Sequence, residues 1–250
     1  MSTKTDSNIY TVIFAIAMVV VVGTLLAYTA ASLKPRISEN VRLEKQQNIL
    51  YAIGVNENEE GSVNFVSTAE TPELFSKYIT KQLVIQNGEV SEDNEAYLID
   101  IKKEKAKGKD NPSARKLPLF VGEKDNKTYY VAPVYGKGLW DAIWGYISLD
   151  ENMVIQGAYF DHKGETPGLG ANINQRFFMD DFIGEHLLDE NGTFKGVEVA
   201  KGNADPTNQD KTDNEVDAIA GSTITGNGVT AMIKSDLKLY KPFFDNLKNN

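Results

Sequence analysis

The chain begins with one long apolar stretch, and its remainder alternates between short apolar runs and polar segments. Residues 9–31 carry no charged side chain and would span about 34 Å as a helix, more than the roughly 30 Å hydrocarbon core of a bilayer. Tyr10 and Tyr28 lie near its ends, where aromatic side chains favour the membrane interface. We therefore predict an N-terminal tail and retained transmembrane helix over residues 1–33. A cleaved signal peptide is the alternative, although its apolar run is typically about 7–15 residues.

Residues 34–117 are predicted to form a juxtamembrane helix and the first part of the soluble region. Ser38 is a suitable N-cap and Gly54 a suitable end for the juxtamembrane helix. Thr71-Pro72-Glu73 predicts a second helix with proline at its first position. The lysine-rich residues 102–116 predict a solvated loop, with contact to anionic lipid or a partner as the alternative.

Short runs rich in β-branched and aromatic residues predict strands, because these side chains fit a pleated surface. These strands are predicted within residues 83–85, 97–101, 129–134, 142–149, 154–160 and 192–200. Apolar positions at spacings of three and four predict a helix over residues 174–188 and a terminal helix over 229–247. Residues 203–215 are polar and acidic and predict a loop. The expected fold is α+β, with a mostly antiparallel sheet and flanking helices.

Composition excludes several kinds of function. The net charge of −9 argues against a nucleic-acid-binding surface, which needs a basic patch. The chain has no cysteine and two histidines, which excludes cysteine-ligated zinc or iron–sulfur clusters bound by this chain alone and argues against a metal site. If the chain performs redox chemistry, its cofactor is therefore organic or shared with a partner.

The most distinctive segment precedes the terminal helix. Residues 221–228 contain three hydroxyl side chains and three glycines. Glycine lets a ligand approach the backbone closely, and a helix N-terminus favours negative charge. We expect a phosphate near residues 223–228. The alternative is that the hydroxyl groups only cap the helix.

Asp217-Ala-Ile-Ala-Gly-Ser-Thr-Ile-Thr225 resembles the flavinylation motif of the FMN-binding domain family. Ala220 stands where serine is usual and Ser222 where alanine is usual, and both exchanges keep the side chain small. The resemblance implies that FMN is attached to Thr225 by a phosphoester. It also implies the surrounding cofactor-binding residues Asp217, Gly221, Ser222 and Thr223.

Two further motifs support the resemblance. Glu165-Thr-Pro-Gly-Leu-Gly170 matches the family's second motif without substitution, and a Gly-x-Gly-Leu-Trp element ends at Trp140. A Pro-Gly hairpin turn and a core tryptophan are the alternatives. The resemblance implies that both segments contact the flavin, and an indole offers stacking area to its ring. The implied contact residues are Leu139, Trp140, Glu165, Thr166, Gly168, Leu169 and Gly170.

Chain length, the single N-terminal span and the motif spacing resemble most the family of C subunits of sodium-translocating NADH:quinone oxidoreductases. The G subunits of Rnf electron-transport complexes are the related alternative, and a non-redox extracytoplasmic binding module is a third. The resemblance implies an electron relay without a catalytic acid, base or nucleophile in turnover, and an FMN-binding domain over residues 118–250.

The implied partners are the membrane, membrane subunits carrying flavin and iron cofactors, and a flavin transferase for maturation, with no nucleic acid. The implied location is the bacterial inner membrane, single-pass, with the domain on the extracytoplasmic side. The flanking charges favour the opposite topology, since Lys34, Arg36, Arg42 and Lys45 outnumber Lys4 and the N-terminal amine. Long domains translocate largely regardless of charge, so we adopt the extracytoplasmic side.

Overall fold

The computed structural model describes residues 8–202 and 207–248. It separates into two compact units, Met1–Leu43 and Glu44–Asn250. Lys4 and residues 203–206 of the predicted acidic loop lie outside the described residues.

The first helix, α1, runs over Asn8–Ala52. Its apolar segment is exposed, has a mean hydropathy of 2.6 over 18 residues, and is long enough to cross a membrane. The predicted new helix start at Ser38 is wrong, because α1 continues through Pro35. A proline removes one backbone hydrogen bond, and no glycine stands beside it to end the helix.

The second unit is built on a six-stranded sheet with the strand order β2-β1-β3-β4-β5-β6, and neighbouring strands are antiparallel. A short parallel pair, β7 and β8, lies apart from it. The elements are α2 (Thr71–Tyr78), β1 (Ile79–Gln86), β2 (Glu89–Glu92), α3 (Ile101–Asp110), β3 (Leu117–Lys124), β4 (Lys127–Lys137), β5 (Ala142–Leu149), β6 (Ile155–His162), α4 (Arg176–Met179), β7 (Glu198–Val199), β8 (Glu215–Val216), α5 (Thr223–Leu237) and α6 (Lys241–Lys248). The predicted α+β class with a mostly antiparallel sheet is confirmed.

Helix α5 packs closely on β4, and glycine makes this approach possible. A β-carbon at Gly136 would lie 2.8 Å from Cβ of Met232, and one at Gly228 would collide with the carbonyl oxygen of Lys137. Val229, Met232 and Ile233 of α5 are buried in the core. The close packing fixes the N-terminus of α5 beside the turn that joins β4 to β5.

Two predictions between β2 and β3 are wrong. Residues 97–101 form no strand; a 3₁₀ turn, Ala96–Leu98, stands there instead. Residues 102–116 are not a continuous loop, because they contain most of α3. Lysine, alanine and glutamate are strong helix formers, and the side chain of Asp100 caps α3 by accepting a 3.1 Å hydrogen bond from the Lys103 N–H. A high lysine content is therefore compatible with a helix as well as with a solvated loop.

The C-terminal predictions hold in type but not in length. The helix expected over residues 174–188 is only α4 and a 3₁₀ turn, Asp180–Phe182, and Gly184 follows with a φ of 90°. The strand expected over 192–200 is reduced to β7. The terminal helix begins six residues earlier than predicted, at Thr223, and a 3₁₀ turn over Lys238–Tyr240 separates α5 from α6.

Candidate functional site

Thr225 lies in the first turn of α5 and is 2% exposed. Its hydroxyl donates a 2.6 Å hydrogen bond to Oε2 of Glu165, which is 60 residues away in sequence. Ser222 is the N-cap residue, yet its side chain makes no capping hydrogen bond. The first N–H groups of a helix have no intrahelical acceptor. Because the Ser222 side chain does not cap them, the structure favours a phosphate site at this N-terminus over the alternative that the hydroxyl groups only cap the helix.

Glu165 is a buried carboxylate surrounded by donors. Its oxygens accept hydrogen bonds from the backbone N–H of Trp140 at 2.9 Å and of Leu139 at 3.3 Å. Burial raises the pKa of Glu165, but the hydrogen bonds from the Thr225 hydroxyl and these N–H groups outweigh it and hold the pKa below its ordinary value. The carboxylate is therefore ionised at neutral pH and is a strong acceptor for the Thr225 hydroxyl.

The loop after β6 gives Glu165 its position. The N–H of Glu165 donates to Nδ1 of His162 at 3.1 Å, and the N–H of Leu169 donates to the carbonyl of Thr166 at 3.1 Å. A β-carbon at Gly170 would collide with the Thr225 hydroxyl oxygen and lie 2.7 Å from Oε2 of Glu165. This loop is therefore a folded turn over Thr225, and only glycine fits at its end.

Large apolar side chains are exposed around Thr225 and Glu165. Trp140 is 67% exposed, and Leu139, Leu169 and Ile224 are also exposed. The indole N–H of Trp140 donates to the Thr166 hydroxyl at 3.2 Å, which orients the ring. Such apolar surface is unusual beside a buried charged group and marks a binding site. A helix N-terminus for the phosphate and apolar side chains for the isoalloxazine ring fit FMN.

The structure groups most of the residues proposed from the sequence. Gly221, Ser222 and Thr223 lead into α5, and a β-carbon at Gly221 would lie 2.9 Å from Leu169. Gly168 has a φ of 76° in the loop after β6. The backbone N–H of Asp217 donates to Asp181, on the segment after α4, at 3.0 Å.

Three residues of the site were missed. Nδ1 of His162 accepts a hydrogen bond from the Glu165 N–H. A β-carbon at Gly138 would lie 2.5 Å from Oε1 of Glu165, so glycine is needed there. Ile224 is an exposed apolar residue between two threonines. The signals available in the sequence were the histidine just before the second motif and the first residue of Gly-Leu-Trp.

Comparison with known proteins agrees with this geometry. Residues 138–238 match the family model of the FMN-binding domain. The chain is 30% identical over 245 residues to the C subunit of the Na(+)-translocating NADH-quinone reductase of Pseudomonas aeruginosa, covering 91% of this chain and 90% of that protein. The corresponding C subunit of Vibrio anguillarum is 29% identical over 247 residues, with coverages of 92% and 90%.

Two solved structures share the fold. The crystal structure of the Na(+)-translocating NADH-quinone reductase C subunit from Parabacteroides distasonis matches with a TM-score of 0.71 and 34% identity, covering 85% of this chain and 96% of that one. Shewanella oneidensis NqrC matches with a TM-score of 0.66 and 27% identity, with coverages of 83% and 97%. The chain belongs to the family of C subunits of Na(+)-translocating NADH-quinone reductases and contains its FMN-binding domain.

Proposed function

We propose that this chain is an electron-transfer subunit of a Na(+)-translocating NADH:quinone reductase and carries FMN covalently on Thr225. The observation that carries the proposal is the hydrogen bond from the buried Thr225 hydroxyl to ionised Glu165. A threonine in a first helical turn usually serves as a cap or contacts solvent. Here its hydroxyl is directed to an anionic acceptor in a site edged by exposed apolar side chains.

The residues of the proposed site form two groups, one for the phosphate and one for the isoalloxazine ring. The N-terminus of α5 would hold the phosphate, because its N–H groups and dipole favour negative charge. Leu139, Trp140 and Leu169 would contact the isoalloxazine ring, and Thr166 holds the indole in place. Bound FMN would supply the redox chemistry. During attachment by the flavin transferase, the Thr225 oxygen would attack the flavin-bearing phosphorus of a donor that contains a phosphoanhydride bond. Glu165 would accept the hydroxyl proton, the phosphoanhydride bond would break, and the second phosphate group of the donor would leave.

A covalent link suits the proposed location. A nanomolar non-covalent site corresponds to about −12 kcal/mol and still releases its ligand. A flavin lost outside the cytoplasm is not readily replaced, and a phosphoester made by a flavin transferase prevents the loss. We place the domain on the extracytoplasmic side of the bacterial inner membrane, with α1 as its anchor. Its partners are the other subunits of the complex, which deliver electrons to the flavin and remove them.

The proposal is tested by expressing the full chain with its flavin transferase in membranes. Thr225→Ala should abolish the covalent flavin, because among the described residues it is Thr225 that supplies the hydroxyl bound to Glu165, while Thr223→Ala should only weaken attachment. Flavin fluorescence of the denatured protein in a gel and intact mass report the phosphoester. Covalent flavin that persists in Thr225→Ala contradicts the assignment, and a wild-type chain without it favours a non-redox binding module.

A further inference from the structure

A cavity of about 820 Å³ lies between α3, β4 and α5, and we call it the lysine cavity. Gly136 and Met232 contribute to its wall, and Trp140, whose indole N–H binds Thr166, also lines it. Four basic side chains line it: Lys102, Lys105, Lys109 and Lys137. Because the whole chain carries a net charge of −9, this is a local reversal of charge.

The four lysines differ in whether they already form hydrogen bonds and ion pairs within the chain. Lys105 donates to the carbonyl of Tyr135 at 2.6 Å and to Ser235 at 3.0 Å, and forms an ion pair with buried Asp236 at 2.9 Å. It therefore holds α3 against β4 and α5. The cavity's carboxylate, Asp141, is paired with Lys163 at 2.9 Å.

The other three lysines, Lys102, Lys109 and Lys137, are exposed, and none forms an ion pair within residues 8–202 and 207–248. Lys102 and Lys109 are seven residues apart, two turns of α3, so they project from the same side of the helix. Their positive charge faces a cavity whose carboxylate, Asp141, is already paired with Lys163.

This arrangement fits a protein surface better than a small anion. A small anion needs directed, partly desolvated donors, and the inner lysine is already satisfied. Exposed charges on long side chains act at a distance and accelerate the encounter with an oppositely charged surface. A flat lipid surface does not enter a concavity formed by three elements, whereas a protruding acidic protein surface does.

The position of the lysine cavity links it to electron transfer. Trp140 borders the cavity, and its backbone N–H binds Glu165, which in turn holds Thr225. We propose that the lysine cavity is the docking site for an acidic surface of the protein that exchanges electrons with the flavin. This inference rests on the function proposed above. Electron-transfer encounters have small interfaces, and a single cavity of this kind suffices to guide one.

The test uses the full chain, assembled in membranes with its partner subunits and flavin transferase. Lys102, Lys109 and Lys137 are replaced together by glutamate. We expect NADH-driven reduction of the flavin to slow at least about tenfold at low ionic strength, since electrostatic steering changes association rates by ~10–10³-fold. Added salt should slow the wild type but not the variant. In-gel fluorescence should show that the variant retains its covalent flavin.

A matched control makes the same charge change elsewhere on the surface. It replaces the exposed lysines Lys77, Lys81 and Lys127 by glutamate and should change the rate less than about twofold, because steering depends on where the charge lies. Equal slowing in both triple variants, or in neither, overturns the proposal.

Two other occupants would give different results. If the effect of the variant disappears when phosphatidylglycerol in the reconstituted membrane is replaced by phosphatidylcholine, the cavity binds lipid and the proposal fails. If the lysine variant lacks covalent flavin while the control has it, the cavity serves attachment and not docking. A wild-type chain without covalent flavin would instead show that the proposed function has failed.

Discussion

Glu165 and Glu185 are two buried glutamates in the same domain, and their surroundings shift the pKa values of their carboxyl groups in opposite directions. Glu165 accepts hydrogen bonds from the Thr225 hydroxyl and from backbone N–H groups, and its pKa lies below the ordinary value. Glu185 is fully buried, and neither carboxylate oxygen has a hydrogen-bond partner among the described residues. Burial raises its pKa to about 7, and the Asn208 amide and the Lys211 ammonium group, 3.6 Å from Oε1, offset only part of this effect.

The difference shows that donors, rather than burial, decide the charge of a carboxyl group in this fold. The turn between β4 and β5 directs successive N–H groups at Glu165, and glycine at position 138 gives the carboxylate room. Around Glu185, Lys211 and Asn208 also donate to the carbonyl oxygen of Asp181, so they compensate the buried carboxylate only in part. Glu165 is therefore an anion available for chemistry, whereas Glu185 is a buried acid that reduces stability when it ionises.

The largest effect is expected from Glu165→Gln. A neutral amide accepts the Thr225 hydroxyl weakly, and its NH₂ group would face the N–H of Leu139 or Trp140. We expect flavin attachment to slow at least about 100-fold, the lower range for loss of a proton acceptor. The rate is measured from covalent flavin fluorescence after adding transferase to membranes that contain the full chain.

Glu185→Gln is the matched control for that experiment, because it removes a buried glutamate outside the flavin site. Its attachment rate should equal that of the wild type. Thr225→Ser in the wild-type background should retain attachment, since the serine hydroxyl can reach the same carboxylate. If Glu165→Gln incorporates flavin at the wild-type rate, Glu165 only fills space beneath the threonine.

The second prediction concerns stability and pH. The folded-state pKa of Glu185, about 7, is above the ordinary value of 4.5. Its stabilising contribution is thus complete below pH 4.5 and is lost as the pH rises towards 7. Relative to the wild type, Glu185→Gln should gain up to about 3 kcal/mol in free energy of unfolding between pH 4.5 and 7.5. Urea unfolding of the detergent-solubilised chain, followed by tryptophan fluorescence, measures the gain.

For Glu165→Gln, the difference in free energy of unfolding from the wild type should change with pH in the opposite direction. Because the folded-state pKa of Glu165 is lowered, its stabilising contribution is present above pH 4.5 and is lost as the pH falls through the folded value. The variant should therefore lose stability relative to the wild type above pH 4.5 and approach it in acid. Parallel curves for the two variants would contradict the assignment of opposite pKa shifts.

The residues of the proposed site were easier to identify from the sequence than Glu185. Glu165 and Thr225 lie in recognisable motifs, and the strands at 129–134, 142–149 and 154–160 had clear β-rich patterns, so the sheet and the proposed pair were both accessible. Glu185 lies in a segment whose apolar spacing suggested a helix. In the structure, only tertiary contacts bury its side chain, and no local pattern encodes such burial.

The same limit explains α3 and the lysine cavity. The lysine content of residues 102–116 predicts solvated side chains, and most of these lysines are exposed in the structure. What the sequence did not show is that Lys105 reaches Asp236, 131 positions later, and so holds α3 beside α5. Long-range ion pairs carry no signal in local periodicity, and the cavity exists only because three distant segments meet.

The smallest effect is expected from Trp140→Phe, which separates the two roles of this residue. The substitution removes the indole N–H that binds Thr166 but keeps the backbone N–H that binds Glu165. Because the side chain is exposed, the free energy of unfolding should change by less than about 1 kcal/mol. The decrease in the free energy of unfolding at acid pH should match that of the wild type. Flavin attachment should proceed within about threefold of the wild-type rate. If Trp140→Phe instead resembles Glu165→Gln in both measurements, the indole and not the main chain holds the carboxylate. The contrast with Glu185 would then depend on one replaceable side chain, rather than on a backbone donor that every residue except proline supplies.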